Sequence, residues 1–238
     1  MKNIGNGSAV AGRRQAGAGQ KRTFKYYCGT AAMVEVFLKF SPNTLFQRTP
    51  TGTAEPTGRL TMKLIQHELI QVLETGAIPT TLAARLRNPA DRLAMYGFIV
   101  DRKPQQFRQF RQLLLRLFDE EIAFRNALWD GTVKDNGAFS ECIYHCAFLL
   151  YCCAEPSDTV NIWRAQYLNQ DIGELDGWYF IGAGLNETLS YLERTNDQTS
   201  TAIAEYIENW SSYISPDSLS EWQQGRRNWI LDDVSCLD

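Results

Sequence analysis

The chain has 238 residues, 44% of them hydrophobic and 12% aromatic, with a formal net charge of −3. That length supports one large or two small domains with a substantial core, and the composition is that of a soluble globular protein rather than a disordered or fibrous one. No apolar run approaches the roughly 20 residues of a membrane-spanning helix, and the opening residues lack the apolar centre of an export signal.

Residues 1–22 are rich in Gly, Ala and Ser and hold five bases and no acid. Such a segment buries too little apolar surface to offset its ordering entropy, so it reads as a flexible basic tail. Its glycines precede no Gly-Lys-Ser/Thr and form no phosphate loop. Residues 24–40 are apolar, with Ala31, Ala32, Met33 and Glu35 favouring helix over strand in the second half. Five Pro and Gly residues in 41–58 mark a loop. Together, 23–58 form an N-terminal segment and loop ahead of a helical array over 59–238, in one domain spanning 23–238.

From residue 60 onward the pattern is helical. Residues 60–74 place Leu64, Ile65, Leu69, Val72 and Leu73 on one side, and Gly76 stops the helix. Pro79 and Pro89 each open a helix, the second running to about Val100. After Pro104, the residues Phe107, Phe110, Leu114 and Leu117 recur at helical spacing, with Arg108, Gln109, Gln112 and Arg116 opposite. Residues 119–129 continue this pattern to a loop at 131–137. Residues 138–153 are apolar on nearly every side, which predicts a buried helix. Ser157 or Asp158 caps a helix carrying Ile162, Trp163 and Tyr167. A helix over 176–194, capped by Asp176, contains Gly182, Ala183 and Gly184, small residues that imply close approach by a neighbour. Residues 199–214 present Ile203, Tyr206, Ile207, Trp210 and Ile214 on one face, and 218–230 form the last helix. Period-2 alternation is absent and no fixed repeat length emerges. The expectation is an all-α protein, either an irregular multi-helix bundle or a HEAT-like stack of helical hairpins.

Few residues invite chemistry. Cys142, His145 and Cys146 share a helix face, but a structural zinc site needs four ligands, and Cys152 and Cys153 lie too far along the same helix to close it. His145 therefore reads as a hydrogen-bonded core histidine, and His67 as an exposed helical position. The six cysteines read as reduced thiols of a cytoplasmic protein, inert in apolar surroundings. Asp119-Glu120-Glu121 and Asp171/Glu174/Asp176 read as acids at helix starts, where they complement the dipole. A divalent-metal-dependent hydrolase built on either cluster is the least favoured alternative. The bases between Arg85 and Arg125 read as a solvated helix face or an internal match to the acidic end, ahead of a nucleic-acid track.

Charge is distributed unevenly. Residues 171–238 hold thirteen acids against Arg194, Arg226 and Arg227 alone, while the preceding 170 residues carry a net positive charge. Glu187, Glu193, Glu205 and Glu208 fall on two consecutive helices. The acidic third is either a face that keeps the protein soluble or a docking surface that steers a cationic partner.

Residues 159–193 carry Ile162-Trp163-x-Ala165, Asp171, Leu175-Asp176-Gly177, Gly182-Ala183-Gly184-Leu185 and Thr188-Leu189-x-Tyr191-Leu192. This order resembles a group of all-helical bacterial immunity proteins encoded beside polymorphic toxins. The resemblance spans about 35 residues and its motif is one of packing. It implies a cytoplasmic, non-enzymatic protein of bacterial competition, without cofactor or membrane partner, that neutralises a cognate toxin by occlusion. Such a toxin would be basic and would attack nucleic acid. The expected partner-binding residues are Asp171, Glu174, Asp176, Glu187, Glu193, Asp197, Glu205, Glu208 and Trp210. A helical scaffold or adaptor binding a peptide or protein is the alternative from another class.

Overall fold

A computed structural model describes residues 57–134, 137, 139–169, 172, 174–213, 215 and 218–237. The basic tail, the 24–40 segment, most of the 41–58 loop, Asp171 and Ile214 lie outside the described residues. Backbone contacts divide the chain into Met1–Thr53 and Ala54–Asp238, and every described element belongs to the second unit.

The protein is all-α. Among the described residues there are nine α-helices and no strand: α1 Thr57–Thr75, α2 Thr80–Arg85, α3 Pro89–Val100, α4 Phe107–Trp129, α5 Cys142–Cys152, α6 Asp158–Trp163, α7 Leu185–Thr195, α8 Gln198–Ser211 and α9 Ser218–Ser235. Short 3-10 turns occupy Pro104–Gln106 and Gly177–Phe180. None of these helices is long and apolar enough to cross a membrane.

Local chemistry sets the helix ends. Gly76, at φ +70°, closes α1 with its N–H on the Val72 carbonyl at 2.8 Å, the left-handed stop that glycine adopts without strain. Asn88 caps α3, accepting from the Ala90 amide at 3.0 Å, with Pro89 at the first helical position. Asn196, at φ +49°, ends α7, and Asp197 caps α8 by accepting from the Ser200 amide at 2.7 Å.

Helix α5 is the axis of the core. Every residue from Cys142 to Tyr151 except Tyr144 is buried, as the lack of a polar face predicts. It packs against α3, α4, α6, α9 and the turn at Gly177–Phe180. Helix α9 also lies on α3, where a Cβ on Gly97 would come within 2.7 Å of Val234. In a linear stack each helical unit meets only its sequence neighbours. The return of α9 onto α3 makes the architecture an irregular bundle around α5.

Three local expectations are corrected. Residues 176–194 are not one helix: the 3-10 turn ends at Phe180 and α7 starts at Leu185. Gly184 takes φ +101°, which no α-helix contains, and a Cβ on Gly182 would overlap the Tyr151 carbonyl. The small residues do permit close approach, but at a break rather than within a helix. Helix α6 stops at Trp163, so Tyr167 leaves the apolar face; it adopts φ +54° and is 61% exposed. Nor do Asp119, Glu120 and Glu121 begin a helix, since all three lie inside α4.

Glu121 is 0% exposed and Arg92 of α3 only 1%. Arg92 Nε donates to Glu121 Oε1 at 2.7 Å and Nη2 to Oε2 at 3.3 Å, while Nη1 reaches the Leu86 carbonyl at 3.0 Å. The Tyr96 hydroxyl donates to Glu121 Oε1 at 2.7 Å. A buried ion pair is tolerable only when its remaining donors and acceptors are satisfied in this way. Arg125 is buried too, its Nη1 donating to the Ser140 carbonyl at 3.1 Å. Arg92 and Arg125 thus depart from the expected solvated face.

Three other arginines of this region are spent nearby. Arg111 forks onto Asp158, with contacts from 2.7 to 3.1 Å, and Arg85 approaches Glu68 and Asp91. Arg108 donates to the carbonyls of Cys153 and Ala154, the negative end of the α5 dipole. Among the described residues these bases answer acids and carbonyls between 68 and 158, not the acidic end.

Candidate partner-binding face

Helices α7 and α8 pack on each other, with Asn196 and Asp197 between them. Their inner faces carry Thr188 and Leu192 from α7 and Ser200, Ile203 and Ile207 from α8, all buried. Helical spacing then forces the charged residues outward. Glu205 and Glu208, one turn apart, are exposed on the side of α8 away from Ile203 and Ile207. Glu187 and Glu193 are also exposed, but six positions set them about 120° apart around α7. None of these four acids forms an ion pair among the described residues.

Glu187 has a local role. Its carboxylate folds over Gly184 in the first turn of α7, filling the space a side chain there would need and complementing the helix dipole. It lines a shallow groove of about 310 Å³ with Pro156, Asn186, Ser190 and Arg194, so this flank carries both signs of charge.

Asp197, the cap of α8, is held below the usual carboxylate range by the Ser200 backbone and side chain. Asp176 faces inward. It caps the 3-10 turn by accepting from the Trp178 amide at 3.2 Å. Burial pushes its carboxyl up, against the opposing pull of that amide, of Arg226 and of the indoles of Trp222 and Trp210. Trp210 stands edge-on to Trp178 with centroids 4.8 Å apart and covers Gly177. Asp176 and Trp210 therefore serve the interior, and Asp171 lies outside the described residues.

Glu174 is exposed and set among polar anchors. Leu175, its neighbour, donates its N–H to Gln166 Oε1 at 2.6 Å and accepts the Tyr206 hydroxyl on its carbonyl at 2.6 Å. These two bonds hold residues 174–175 between Tyr167, which follows Gln166, and Tyr206 of α8. The Tyr206 ring is edge-on to Trp163 and Phe180 at 5.5 and 5.6 Å.

The remaining candidates are interior. His145 is 1% exposed, with Nε2 2.8 Å from Asp233 Oδ2 and its ring edge-on to Trp229. Burial raises the thiols of Cys142, Cys146 and Cys153, and that of Cys152 to about 12. Trp222 sits in an aromatic cluster with Phe148, Tyr151 and Tyr179 at 5.1 to 5.6 Å. Arg226 covers the rings of Tyr179, Trp222 and Trp229. Among the described residues no three His, Cys, Asp or Glu side chains converge to hold a metal ion.

Two features escape a sequence reading for different reasons. The apolar spacing of α4, prolonged by +4 from Leu117, lands on Glu121 and then on Arg125, a signal present in the pattern. The outward turn of Tyr167 depends on a helix stopping at Trp163 without Gly or Pro, and no local signal marks it. Family models, curated proteins and solved structures contain no match to this chain.

Proposed function

We propose that this chain is a binding protein that docks a basic protein partner on the outer surface of α8 and the adjoining Glu174 segment. The observation that carries the reading is that Glu174, Glu205 and Glu208 are exposed and outside every ion pair among the described residues, while Arg85, Arg92 and Arg111 are engaged with acids upstream. An unneutralised acidic surface accelerates association with a cationic partner and disfavours wrong ones. The resemblance of residues 159–193 to immunity proteins supplies the biological form of the proposal, neutralisation of a toxin by occlusion. Asp176 and Trp210 support the face from beneath, and Glu187 and Glu193 lie on its flanks.

Co-expression with the product of the adjacent gene, followed by co-purification and a growth-protection assay, tests this reading. A stable complex is expected, with an association rate about tenfold lower in the Glu205→Lys/Glu208→Lys variant and less dependent on salt. A chain that neither binds nor protects, or a complex indifferent to that charge reversal, refutes it.

A further inference from the structure

We infer that Tyr167, Glu174 and the Tyr206 edge of α8 form a receptor for an arginine side chain presented by the basic partner. The inference rests on the proposed docking face and names the group it recognises.

Three features carry it. Tyr167 is 61% exposed and, among the described residues, is one of three non-glycine residues at positive φ, so the chain holds a large ring out of the core in a conformation that bulky residues seldom adopt. The segment bearing Glu174 is not a free loop. Gln166 Oε1 accepts the Leu175 N–H and the Tyr206 hydroxyl donates to the Leu175 carbonyl, at 2.6 Å each, so the backbone beside Glu174 is held from both sides. Tyr213, in the turn just past the end of α8, is 89% exposed. Glu174 also raises the Tyr206 and Tyr167 hydroxyls, after burial itself, as a nearby negative charge does.

An exposed tyrosine and a half-buried one beside a carboxylate suit one ligand chemistry best. A guanidinium is planar, stacks on a phenol face and offers parallel N–H groups to a carboxylate; an ammonium does neither in a fixed geometry. Hydrogen bonds within the protein already order the receptor, so less entropy is lost on binding.

The test is an NMR titration of the full chain with hexa-arginine amide and, separately, hexa-lysine amide, at low salt. The expected result is that hexa-arginine shifts Tyr167, Glu174 and Tyr206 first and binds more tightly than hexa-lysine. Glu174→Gln and Tyr167→Leu should each weaken hexa-arginine by about threefold to tenfold. Glu221→Gln on α9 should not change it, and melting curves establish that the variants remain folded. Shifts centred on Glu187 and Glu193, or equal binding of the two peptides, would overturn the arginine receptor while leaving the acidic docking face in place. Binding of neither peptide overturns the receptor, and if the co-expressed partner also fails to bind, the docking face falls with it.

Discussion

Gly177 and the indole of Trp210 share a space that admits no side chain between them: any Cβ on residue 177 would overlap the ring. The turn at Gly177–Phe180 can therefore lie flat beneath α8, and Asp176 can cap that turn from beside the same indole. Gly177→Ala should destabilise the fold by about 1–3 kcal/mol through overpacking. Gly225 offers the control, because it lies in α9 with nothing within 4 Å of its would-be Cβ. Gly225→Ala should stabilise by about 0.5–1 kcal/mol. Urea denaturation distinguishes the two signs.

The buried trio of Arg92, Tyr96 and Glu121 joins α3 to α4. Arg92→Met should cost about 3–5 kcal/mol, since it strands a carboxylate that water does not reach. The triple variant Arg92→Met/Tyr96→Phe/Glu121→Leu should recover most of that loss, because no charge or hydroxyl is left unpaired. If the triple variant is as unstable as the single one, the trio contributes more through its geometry than its desolvation costs.

Two acids should respond to pH in opposite directions. Burial raises the Asp176 carboxyl above its unfolded value, so its shift contributes stability below the unfolded pKa and loses it as pH rises through the folded one. Asp176→Asn should therefore gain on the wild type between about pH 3 and pH 7. Asp197 is lowered by its capping bonds, so its contribution is present above the unfolded pKa and lost as pH falls through the folded one. Asp197→Ala should be less stable than wild type at neutral pH and converge with it in acid. Denaturation midpoints across this range measure both.

Thiol reactivity should follow exposure. In a Cys28→Ser background, Cys236 is exposed and should react with a thiol reagent within minutes, on the order expected of an accessible cysteine. Cys142, Cys146 and Cys153 are buried with raised pKa, and Cys152 is raised to about 12, so these four should react only on unfolding. Rapid modification of more than one thiol in the native state would contradict the packing around α5.

Much of the fold follows from periodicity and punctuation alone. The amphipathic stripe of α4, the all-apolar α5 and the stops at Gly76 and Pro89 are local properties, because helix formation is decided by residues within a few turns. The outward direction of Glu205 and Glu208 follows from the same spacing, once Ile203 and Ile207 are assigned to the core. What only the tertiary structure decided is pairing between distant elements: that Arg92 meets Glu121 across two helices, that α9 returns onto α3, that Asp176 and Trp210 turn inward, and that Leu175 is tied to both Gln166 and Tyr206. Each depends on side chains far apart in the chain competing for one partner or one volume, and a one-dimensional pattern does not contain that competition.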